Sequence, residues 1–333
     1  MTTGPAVTKK ALRNIDDPLN KVYESKEYKE TSRNLTLEFH LILDVEISGK
    51  CNLTCMMCAR SLKNEREMEN MKPELFYRIA DEATACGAKL IRFSGYGEAL
   101  LHKDFTKFIG YAKKKGLLTH LTTNGLLLTE NISRQIIEIP LTKIKFSFQG
   151  TDKDEFNRIR NTKDYDKLRD NIIMLRRIRE SSKKKLPMIQ VATTVLSETQ
   201  EQINEFYNQW ESIADTVYHL PTLLWRLEDT DFGKKNKNFA RGKLLDSSCI
   251  EIRTKMSIWN DGKVSGCCND YFHRLLLGDM KDKNLKEIWN DEPARNIRNL
   301  LNQTSPAFFS EEDKQKYPLC AECQTTAWIF EKE

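Results

Sequence analysis

The sequence predicts an α/β fold, a partial (β/α)6 TIM-like barrel followed by a small α+β extension. From about residue 40 to 225, short β-rich runs alternate with amphipathic helical stretches. Repeated strand, helix, strand units imply a parallel sheet with helices outside. The alternation stops at a polar stretch, 225–243, which is typical of a linker or loop. We therefore expect an N-terminal extension at 1–38, the barrel at 39–228 and a second domain at 229–333.

Six runs have the length and residue types of strands. They are 41–48, 90–95, 118–124, 143–149, 188–196 and 216–225. The helical pattern is clearest at 73–87, 104–116 and 165–182. Gly87 and Gly116 stand where a helix C-cap glycine is expected. Because sites in parallel α/β folds lie at the C-terminal ends of strands, the residues after each run are the candidate site.

The second domain has its own pattern. "IEIRTKMSIWNDGKVSGCC", 250–268, predicts a hairpin with its turn at 260–262. A single helix is expected at about 283–301. A C-x2-C pair, Cys320 and Cys323, stands close to the C-terminus.

Composition excludes several classes of protein. Charged residues make up 30% of 333 residues, and the apolar runs have strand length rather than the roughly 20 residues of a membrane-spanning helix. The first residues lack the apolar core of a secretory signal, so we expect a cytoplasmic protein without membrane contact. The net charge of +5 is small, and the basic runs 113–115 and 183–185 fall at predicted helix ends. Nucleic acid is therefore not an expected partner.

Three of the nine cysteines stand together directly after the first strand. Cys51, Cys55 and Cys58 have the spacing C-x3-C-x2-C. An odd number of cysteines in a reducing compartment favours metal ligation or redox chemistry over disulfides. Three thiolates on one loop suit three corners of a [4Fe-4S] cluster and leave one iron without a protein ligand. A structural zinc site would need four ligands.

This cysteine spacing resembles that of the radical S-adenosylmethionine (SAM) superfamily. The resemblance implies that the open iron binds the amino and carboxylate groups of SAM. It also implies that one electron from the cluster cleaves SAM to a 5′-deoxyadenosyl radical. The family usually has an aromatic residue before the third cysteine, where this chain has Met57, an apolar side chain that still suits a cover for the cluster.

Later strand ends resemble the SAM-binding motifs of the same family. "FSGYGEALLH", 93–102, is similar to the motif that usually ends Gly-Glu-Pro and contacts the SAM amino group; Gly97 and Glu98 match, and Ala99 replaces the proline. A glycine permits close approach of backbone to a ligand, and a carboxylate can pair with an ammonium group. A plain tight turn is the alternative.

Two further motifs complete the implied SAM site. "LTTNG", 121–125, would place Thr123 and Asn124 near SAM. In "FSFQGTDKDEFNRIRN", 146–161, the resemblance implies that Ser147 and Gln149 face the ribose and that Arg160 binds the SAM carboxylate.

The C-terminal cysteines resemble those of SPASM and twitch modules, which carry auxiliary iron–sulfur clusters. The shorter twitch form fits best, with Cys249, Cys267, Cys320 and Cys323 as all four ligands of one [4Fe-4S] cluster, and zinc as the alternative metal. Cys268 could replace Cys267 as a ligand, be a bystander, or donate a hydrogen atom in the active site. Cys86 is expected to be a small buried apolar residue.

The resemblance implies an enzyme that abstracts a hydrogen atom from a substrate C–H bond. Oxidation of the substrate radical through the auxiliary cluster would give dehydrogenation, as in the twitch-bearing aminocyclitol dehydrogenase of antibiotic biosynthesis. Hydrogen return by Cys268 would give epimerisation, and peptide crosslinking or maturation is a further possibility. Outside this class, the alternative is a zinc-binding module without catalysis.

Partners follow from the same reasoning. About 40 residues precede the first strand, which is too few for a peptide-recognition domain. This favours a carbohydrate-like or other small substrate over a peptide. The same N-terminal residues could also cap the open side of the barrel. An electron donor such as flavodoxin or ferredoxin is implied. Candidate substrate contacts near the end of the last strand are His219, Trp225, Arg226 and Glu228.

Overall fold

A computed structural model describes residues 17–33, 39, 42–62, 68–223, 227, 230–236 and 249–323. The strands are β1 Ile42–Val45, β2 Leu90–Phe93, β3 Leu118–Thr123, β4 Lys143–Ser147, β5 Met188–Val195, β6 Thr216–Pro221, β7 Lys255–Ile258, β8 Lys263–Ser265 and β9 Leu276–Asp279. The helices are α1 Asn20–Tyr23, α2 Lys26–Arg33, α3 Pro73–Ala85, α4 Phe105–Lys114, α5 Glu130–Glu138, α6 Lys153–Arg160, α7 Tyr165–Ser181, α8 Gln200–Glu211, α9 Asp231–Asn236, α10 Glu251–Thr254, α11 Leu285–Asn290, α12 Glu292–Gln303, α13 Glu311–Lys316 and α14 Pro318–Ala321.

The chain forms two compact units. The first combines 1–17, 51–64 and 120–241, and the second combines 18–50, 65–119 and 242–333. Each unit therefore draws on segments that are far apart in the sequence.

In the first unit, β4 lies between β3 and β5, β6 follows β5, and all these pairings are parallel. Alternate residues of each strand point to opposite sides of the sheet. Phe146 and Phe148 are fully buried. The Phe148 ring lies 4.6 Å from that of Phe156 on α6 and 5.5 Å from that of Trp210 on α8. Ile144 shares the face of Phe146, so Lys143, Lys145 and Ser147 are the residues of β4 that face away from these helices.

In the second unit, β1 has a parallel neighbour on each side, β2 and β7. β7 and β8 form the predicted antiparallel hairpin, and β9 continues it. At the turn, Gly262 has φ +93° and its N–H donates to the Trp259 carbonyl at 3.0 Å. A positive φ of this size favours glycine, which explains the predicted turn.

The described part of the N-terminal extension packs on the strand starts of the second unit. Leu19 and Val22 form one buried cluster with Ile42 and Leu90, the first residues of β1 and β2. Sites in parallel α/β folds lie at the other ends of the strands. The α1 helix therefore covers the end of these two strands that is remote from the candidate site.

Most predicted elements are confirmed. All six predicted barrel strands are present as β1–β6, and the three predicted helices as α3, α4 and α7. Gly87 and Gly116 follow α3 and α4 with φ of +84° and +81°, as helix-ending glycines do.

Two predictions need correction. The helix expected at about 283–301 is two helices, α11 and α12, separated at Asp291. Pro293 occupies the first turn of α12, where its missing N–H is tolerated, and it cannot continue the preceding helix. The polar stretch 225–243 contains the helix α9, so its described part is not only a loop. Among the described residues, no helix is long and apolar enough to cross a membrane.

A buried ion pair should stabilise the first unit. Arg179 Nη2 donates to Asp215 Oδ1 at 2.9 Å, and the Ile189 N–H donates to Asp215 Oδ2 at 2.7 Å. We predict that Asp215→Ala lowers the free energy of unfolding by about 3–5 kcal/mol, because it leaves a buried guanidinium without its partner. Asp166→Ala, which breaks an exposed pair with Lys153, should cost less than about 1 kcal/mol. Thermal and denaturant unfolding would test this, and equal effects of the two variants would contradict it.

Candidate active site

The loop that carries the first three cysteines is fixed by contacts within the first unit. The Met56 N–H donates to the Ile159 carbonyl at 2.9 Å, and Asn161 Nδ2 donates to Thr54 Oγ1 at 2.9 Å. Cys58 N–H donates to the Cys55 carbonyl at 3.1 Å and forms a tight turn. The end of α6 therefore positions the loop.

The three thiols of this loop lie in one neighbourhood. Burial is the main cause that raises the pKa of Cys58 to about 11, and the nearby Cys55 and Cys51 thiols raise it further. Thiolates are the ligands of iron–sulfur clusters, and a bound metal supplies the positive charge that stabilises them. The donor set therefore fits a cluster held by three cysteines.

Met57 belongs to an apolar cluster beside this loop. Met56, Met57 and Leu196 pack against the buried side chains of Ile159, Leu227 and Phe232. The methionine that replaces the family's aromatic residue therefore has apolar neighbours, as a cover for the cluster needs.

Asn124 also reaches the cysteine loop. Its Nδ2 donates to Asn52 Oδ1 at 2.8 Å and lies 4.0 Å from Cys51 Sγ. Its Oδ1 accepts from the Leu126 N–H at 3.0 Å, and Thr123 Oγ1 accepts from the Gly125 N–H at 2.9 Å. Two of the predicted SAM contacts thus lie at the end of β3, one of them against the loop.

The end of β4 carries buried polar groups without a partner. Gln149 is 5% exposed and Arg160 is 4% exposed. Among the described residues, Gln149 Oε1 and Arg160 Nε have no hydrogen-bond partner, although Arg160 Nη2 donates to the Ser147 carbonyl. Buried polar atoms of this kind usually have a partner, which fits a polar ligand at this strand end.

In the second unit, the glycine-rich segment after β2 lies tightly against the end of β1. A Cβ on Gly97 would be 1.7 Å from the Ser48 carbonyl oxygen, so only glycine fits. Glu98 is 2% exposed; its N–H donates to the Lys50 carbonyl at 2.7 Å, and its Oε1 accepts from the Leu100 N–H at 3.1 Å. The carboxylate therefore also caps a short 3-10 helix.

Sequence reasoning missed Glu46, which holds this segment. Its Oε2 accepts from the Tyr96 N–H at 2.6 Å and from the Gly97 N–H at 3.2 Å. The signal was present in "LDVEIS", where Asp44 and Glu46 alternate with apolar residues and so share one face of β1.

A polar cavity of about 170 Å³ lies on that face, in the second unit. Its walls include Asp44, Ser94, Tyr96, Ser257, Trp259 and Cys268. The Tyr96 and Trp259 rings stack with centroids 6.1 Å apart, and both oxygens of Asp44 accept from the Arg92 guanidinium. The cavity thus combines aromatic walls, hydroxyls and a neutralised carboxylate.

The predicted auxiliary ligands divide into two groups. Burial raises the pKa of Cys249 to about 12 and that of Cys320 above its usual range, and the Cys323 thiol contributes to both. Cys249, Cys320 and Cys323 are therefore close neighbours. Cys267 accepts from the Asn269 N–H at 3.4 Å, and its hydrogen bond with Cys268 lowers the pKa of that thiol.

The two groups are linked through one acidic residue. The carboxylate of Asp270 helps to raise the pKa of Cys320, and its N–H donates to the Cys267 carbonyl at 3.1 Å. Over the described ranges, no three Cys, His, Asp or Glu side chains converge to metal-binding distance. The chemistry of these thiols fits iron–sulfur ligation, and Cys267 as the fourth ligand stays a prediction.

The remaining candidates are less central. His219 is buried and its Nδ1 lies 3.2 Å from the Tyr207 hydroxyl of α8, so it faces the helices, and its role in substrate binding stays a prediction. Burial lowers the pKa of His219 and raises that of Cys86. Trp225, Arg226 and Glu228 lie outside the described residues.

Comparison with known protein families identifies the class. The profile of the radical SAM superfamily matches residues 45–209, and that of SPASM, an iron–sulfur cluster-binding domain, matches residues 249–324. The chain belongs to the radical SAM superfamily and carries a SPASM-type domain. Radical SAM domains bind SAM and a [4Fe-4S] cluster, and SPASM domains bind additional iron–sulfur clusters, so the expected cofactors are confirmed and the zinc-binding module without catalysis is not supported.

Curated relatives differ in reaction. The chain is 21% identical to S-adenosyl-L-methionine-dependent 2-deoxy-scyllo-inosamine dehydrogenase of Niallia circulans, over 88% of this chain and 96% of that protein. It is 33% identical to PqqA peptide cyclase of Granulibacter bethesdensis, over 37% of this chain. A further match, 34% identical over 32% of this chain, is the tungsten-containing aldehyde ferredoxin oxidoreductase cofactor-modifying protein of Pyrococcus furiosus. The matches span about a third of the length of the last two relatives, 33% and 30%.

Solved structures support the fold. BtrN in complex with AdoMet and 2-DOIA is 18% identical, with a TM-score of 0.54, over 88% of this chain and 96% of that chain. SuiB of Streptococcus suis bound to precursor peptide SuiA is 18% identical, with a TM-score of 0.62, over 94% of this chain and 78% of that chain. The partial (β/α)6 barrel with a C-terminal iron–sulfur domain is confirmed.

The close packing at Gly97 gives a test of the SAM site. We predict that Gly97→Ala lowers the affinity for SAM at least about tenfold, because the methyl group would displace the segment from the Ser48 carbonyl. Gly116→Ala is the control, since no atom lies within 4 Å of its Cβ and it costs only backbone strain of about 1–2 kcal/mol. Equilibrium dialysis with labelled SAM on the reconstituted protein gives the affinities. Wild-type affinity in Gly97→Ala would contradict the assignment.

Proposed function

We propose that the protein is a radical SAM oxidoreductase that dehydrogenates a small, carbohydrate-like substrate. The substrate loses a hydrogen atom to the 5′-deoxyadenosyl radical, a proton to water and its second electron to the auxiliary cluster. One observation carries the proposal. The loop after β1 offers three thiols, whereas Cys249, Cys320 and Cys323 form a separate set of partly buried thiols. Asp270, whose charge acts on Cys320, donates its N–H to the Cys267 carbonyl. Four thiolates leave no open position on a cubane, which suits electron transfer.

The bound cofactors and the chain have different roles in this proposal. When bound, the first cluster and SAM supply a 5′-deoxyadenosyl radical that takes a hydrogen atom from a substrate C–H bond. Gly97 and Glu98 would hold the SAM amino group, and Thr123, Asn124, Ser147, Gln149 and Arg160 would line the rest of its site. Buried side chains with fixed hydrogen bonds keep such contacts in place before the substrate arrives.

The dehydrogenase of Niallia circulans supports the choice of a small substrate. That match extends over 96% of the relative, whereas the match to the peptide cyclase covers 33% of it. The aromatic and hydroxyl walls of the cavity beside Cys268 are also suited to a polar ring. A reduced flavodoxin or ferredoxin would supply the electron for the first cluster.

Epimerisation is the second candidate, and one observation favours it. Cys268 lines the polar cavity together with Ser257 and Trp259, while its neighbour Cys267 is the candidate cluster ligand. A thiol that faces a substrate cavity can return a hydrogen atom to a carbon radical; one electron from the reduced flavodoxin or ferredoxin and one proton would then restore the thiol from its thiyl radical. The two candidates differ in the fate of the electron and of the hydrogen.

Paired cysteine variants test the division between the two clusters. Cys55→Ala should lower the iron content from roughly eight to four per chain and abolish formation of 5′-deoxyadenosine, because the SAM-binding iron is lost. Cys249→Ala should also lose about four irons but keep slow cleavage of SAM. Iron assay and chromatography of 5′-deoxyadenosine measure both. The proposal is wrong if Cys55→Ala still cleaves SAM or if Cys249→Ala keeps all its iron.

A solvent-label experiment separates dehydrogenation from epimerisation. Deuterium transfer from labelled candidate substrates into 5′-deoxyadenosine first identifies the substrate. In deuterated water, we expect an oxidised product and no solvent deuterium at the reacting carbon, and Cys268→Ala should still form that product. Cys268→Ser, with its iron content checked, controls for damage to the neighbouring ligand. An inverted product with one solvent deuterium, lost in Cys268→Ala, would instead establish the epimerase.

A further inference from the structure

The face of the first unit's sheet that points away from the helices carries polar groups along adjacent strands. The register places Thr122, Lys145, Gln190 and Thr216 side by side on β3, β4, β5 and β6. The next row toward the C-terminal ends is Ser147, Ala192 and Tyr218. Neighbouring strands lie about 4.8 Å apart, so the members of a row are within reach of one ligand.

The direction of these side chains follows from their buried neighbours. Ile144 and Phe146 on β4 are fully buried, and His219 on β6 contacts Tyr207 of α8. Because side chains alternate along a strand, Lys145 and Tyr218 point to the opposite side of the sheet. That side also carries Ser147, which we assign to the SAM site.

Lys145 differs from the lysine two residues before it. Lys143 Nζ donates to Asp17 Oδ2 at 2.6 Å, so its charge is neutralised within the first unit. Lys145 is half-buried, and no described residue forms an ion pair or hydrogen bond with its ammonium group. A partly buried cation without an acidic partner is costly unless a ligand supplies the negative charge.

The residues that surround Lys145 in the sheet are small or polar. Gln190 on β5 is the strand neighbour of Lys145. Two residues further along β5, the small side chain of Ala192 lies between Ser147 and Tyr218. Gln190 Nε2 donates to Thr216 Oγ1 at 3.0 Å, which fixes the row. The buried Thr194 hydroxyl and Gln149 Oε1, on the same face, have no partner among the described residues. This face therefore carries an ammonium group, the Tyr218 phenol and the Thr194 hydroxyl, each of which can donate a hydrogen bond to an anion.

We propose that this face binds an anionic group of the substrate, a phosphate or a carboxylate, through Lys145, with Tyr218 as an additional hydrogen-bond donor. The anionic group would lie over the small side chain of Ala192, between Ser147 and Tyr218. The identification of the ligand as the substrate rests on the proposed function, whereas the anion site itself does not. It narrows the substrate class to small molecules that carry a negative charge.

Direct binding to the protein with both clusters and SAM tests this inference without turnover. Isothermal titration calorimetry compares three ligands. Glucose 6-phosphate tests for a phosphate site, gluconate tests for a carboxylate site, and glucose is the uncharged reference. We expect one of the two anions to bind and glucose to bind at least about tenfold more weakly. Lys145→Met should reduce the anion's affinity by about tenfold or more, and Lys145→Arg should retain most of it.

Two other variants complete the experiment. Lys163→Met removes the same charge from an exposed position in the same unit and should leave anion binding unchanged. Ala192→Leu places a larger side chain between Ser147 and Tyr218 without changing the charge. It should also weaken anion binding, which keeps the test valid if Lys145→Met folds poorly.

Three results would overturn the proposal. They are no binding of either anion, equal anion affinity in wild type and Lys145→Met, and a loss in Lys145→Met confined to SAM affinity, which would assign the lysine to the SAM carboxylate. Failure of the proposed function would appear separately, as absence of 5′-deoxyadenosine.

Discussion

The alternation of side chains along parallel strands is the constraint on which the candidate sites of both units depend. In β4, Ile144 and Phe146 are buried on the helix side, which leaves Lys145 and Ser147 for the other face. In β1, Leu43 and Val45 are buried, and Asp44 and Glu46 alternate with them. Apolar contacts with the helices stabilise each unit. The same pattern places polar groups together where a ligand can reach them.

Local sequence was sufficient to predict the strands and the cysteine loop. The spacing of Cys51, Cys55 and Cys58 and the glycine at Gly97 need no knowledge of distant residues, since each belongs to one strand end. The break of the C-terminal helix at Asp291 was also predictable, because Pro293 stands two residues further on and cannot continue the preceding helix. The signal for Glu46 was the polar alternation within an otherwise apolar strand.

Other features of the sites depend on contacts between residues far apart in the chain. Asn161 and Thr54 are 107 positions apart, and Tyr96 reaches Asn269 across 173 positions. A single sequence contains no signal that pairs such residues. The placement of Cys268 on a cavity wall with Asp44 is of the same kind.

The cysteines show why folding and cofactor binding must act together in this protein. Burial raises the pKa of Cys58, Cys249 and Cys320, so the folded chain favours the protonated thiols until a positive centre arrives. Iron supplies that charge and displaces the protons, and the binding free energy then contributes to stability.

The same reasoning applies in reverse to Lys145. Lys145 lies on the polar face of β4, two residues beyond a lysine that Asp17 neutralises, and no described residue pairs with it. Residues that break the local pattern in this way are typical of functional sites. The cysteine thiols and, on our proposal, Lys145 therefore follow one principle: the ligand supplies the opposite charge that the folded chain does not.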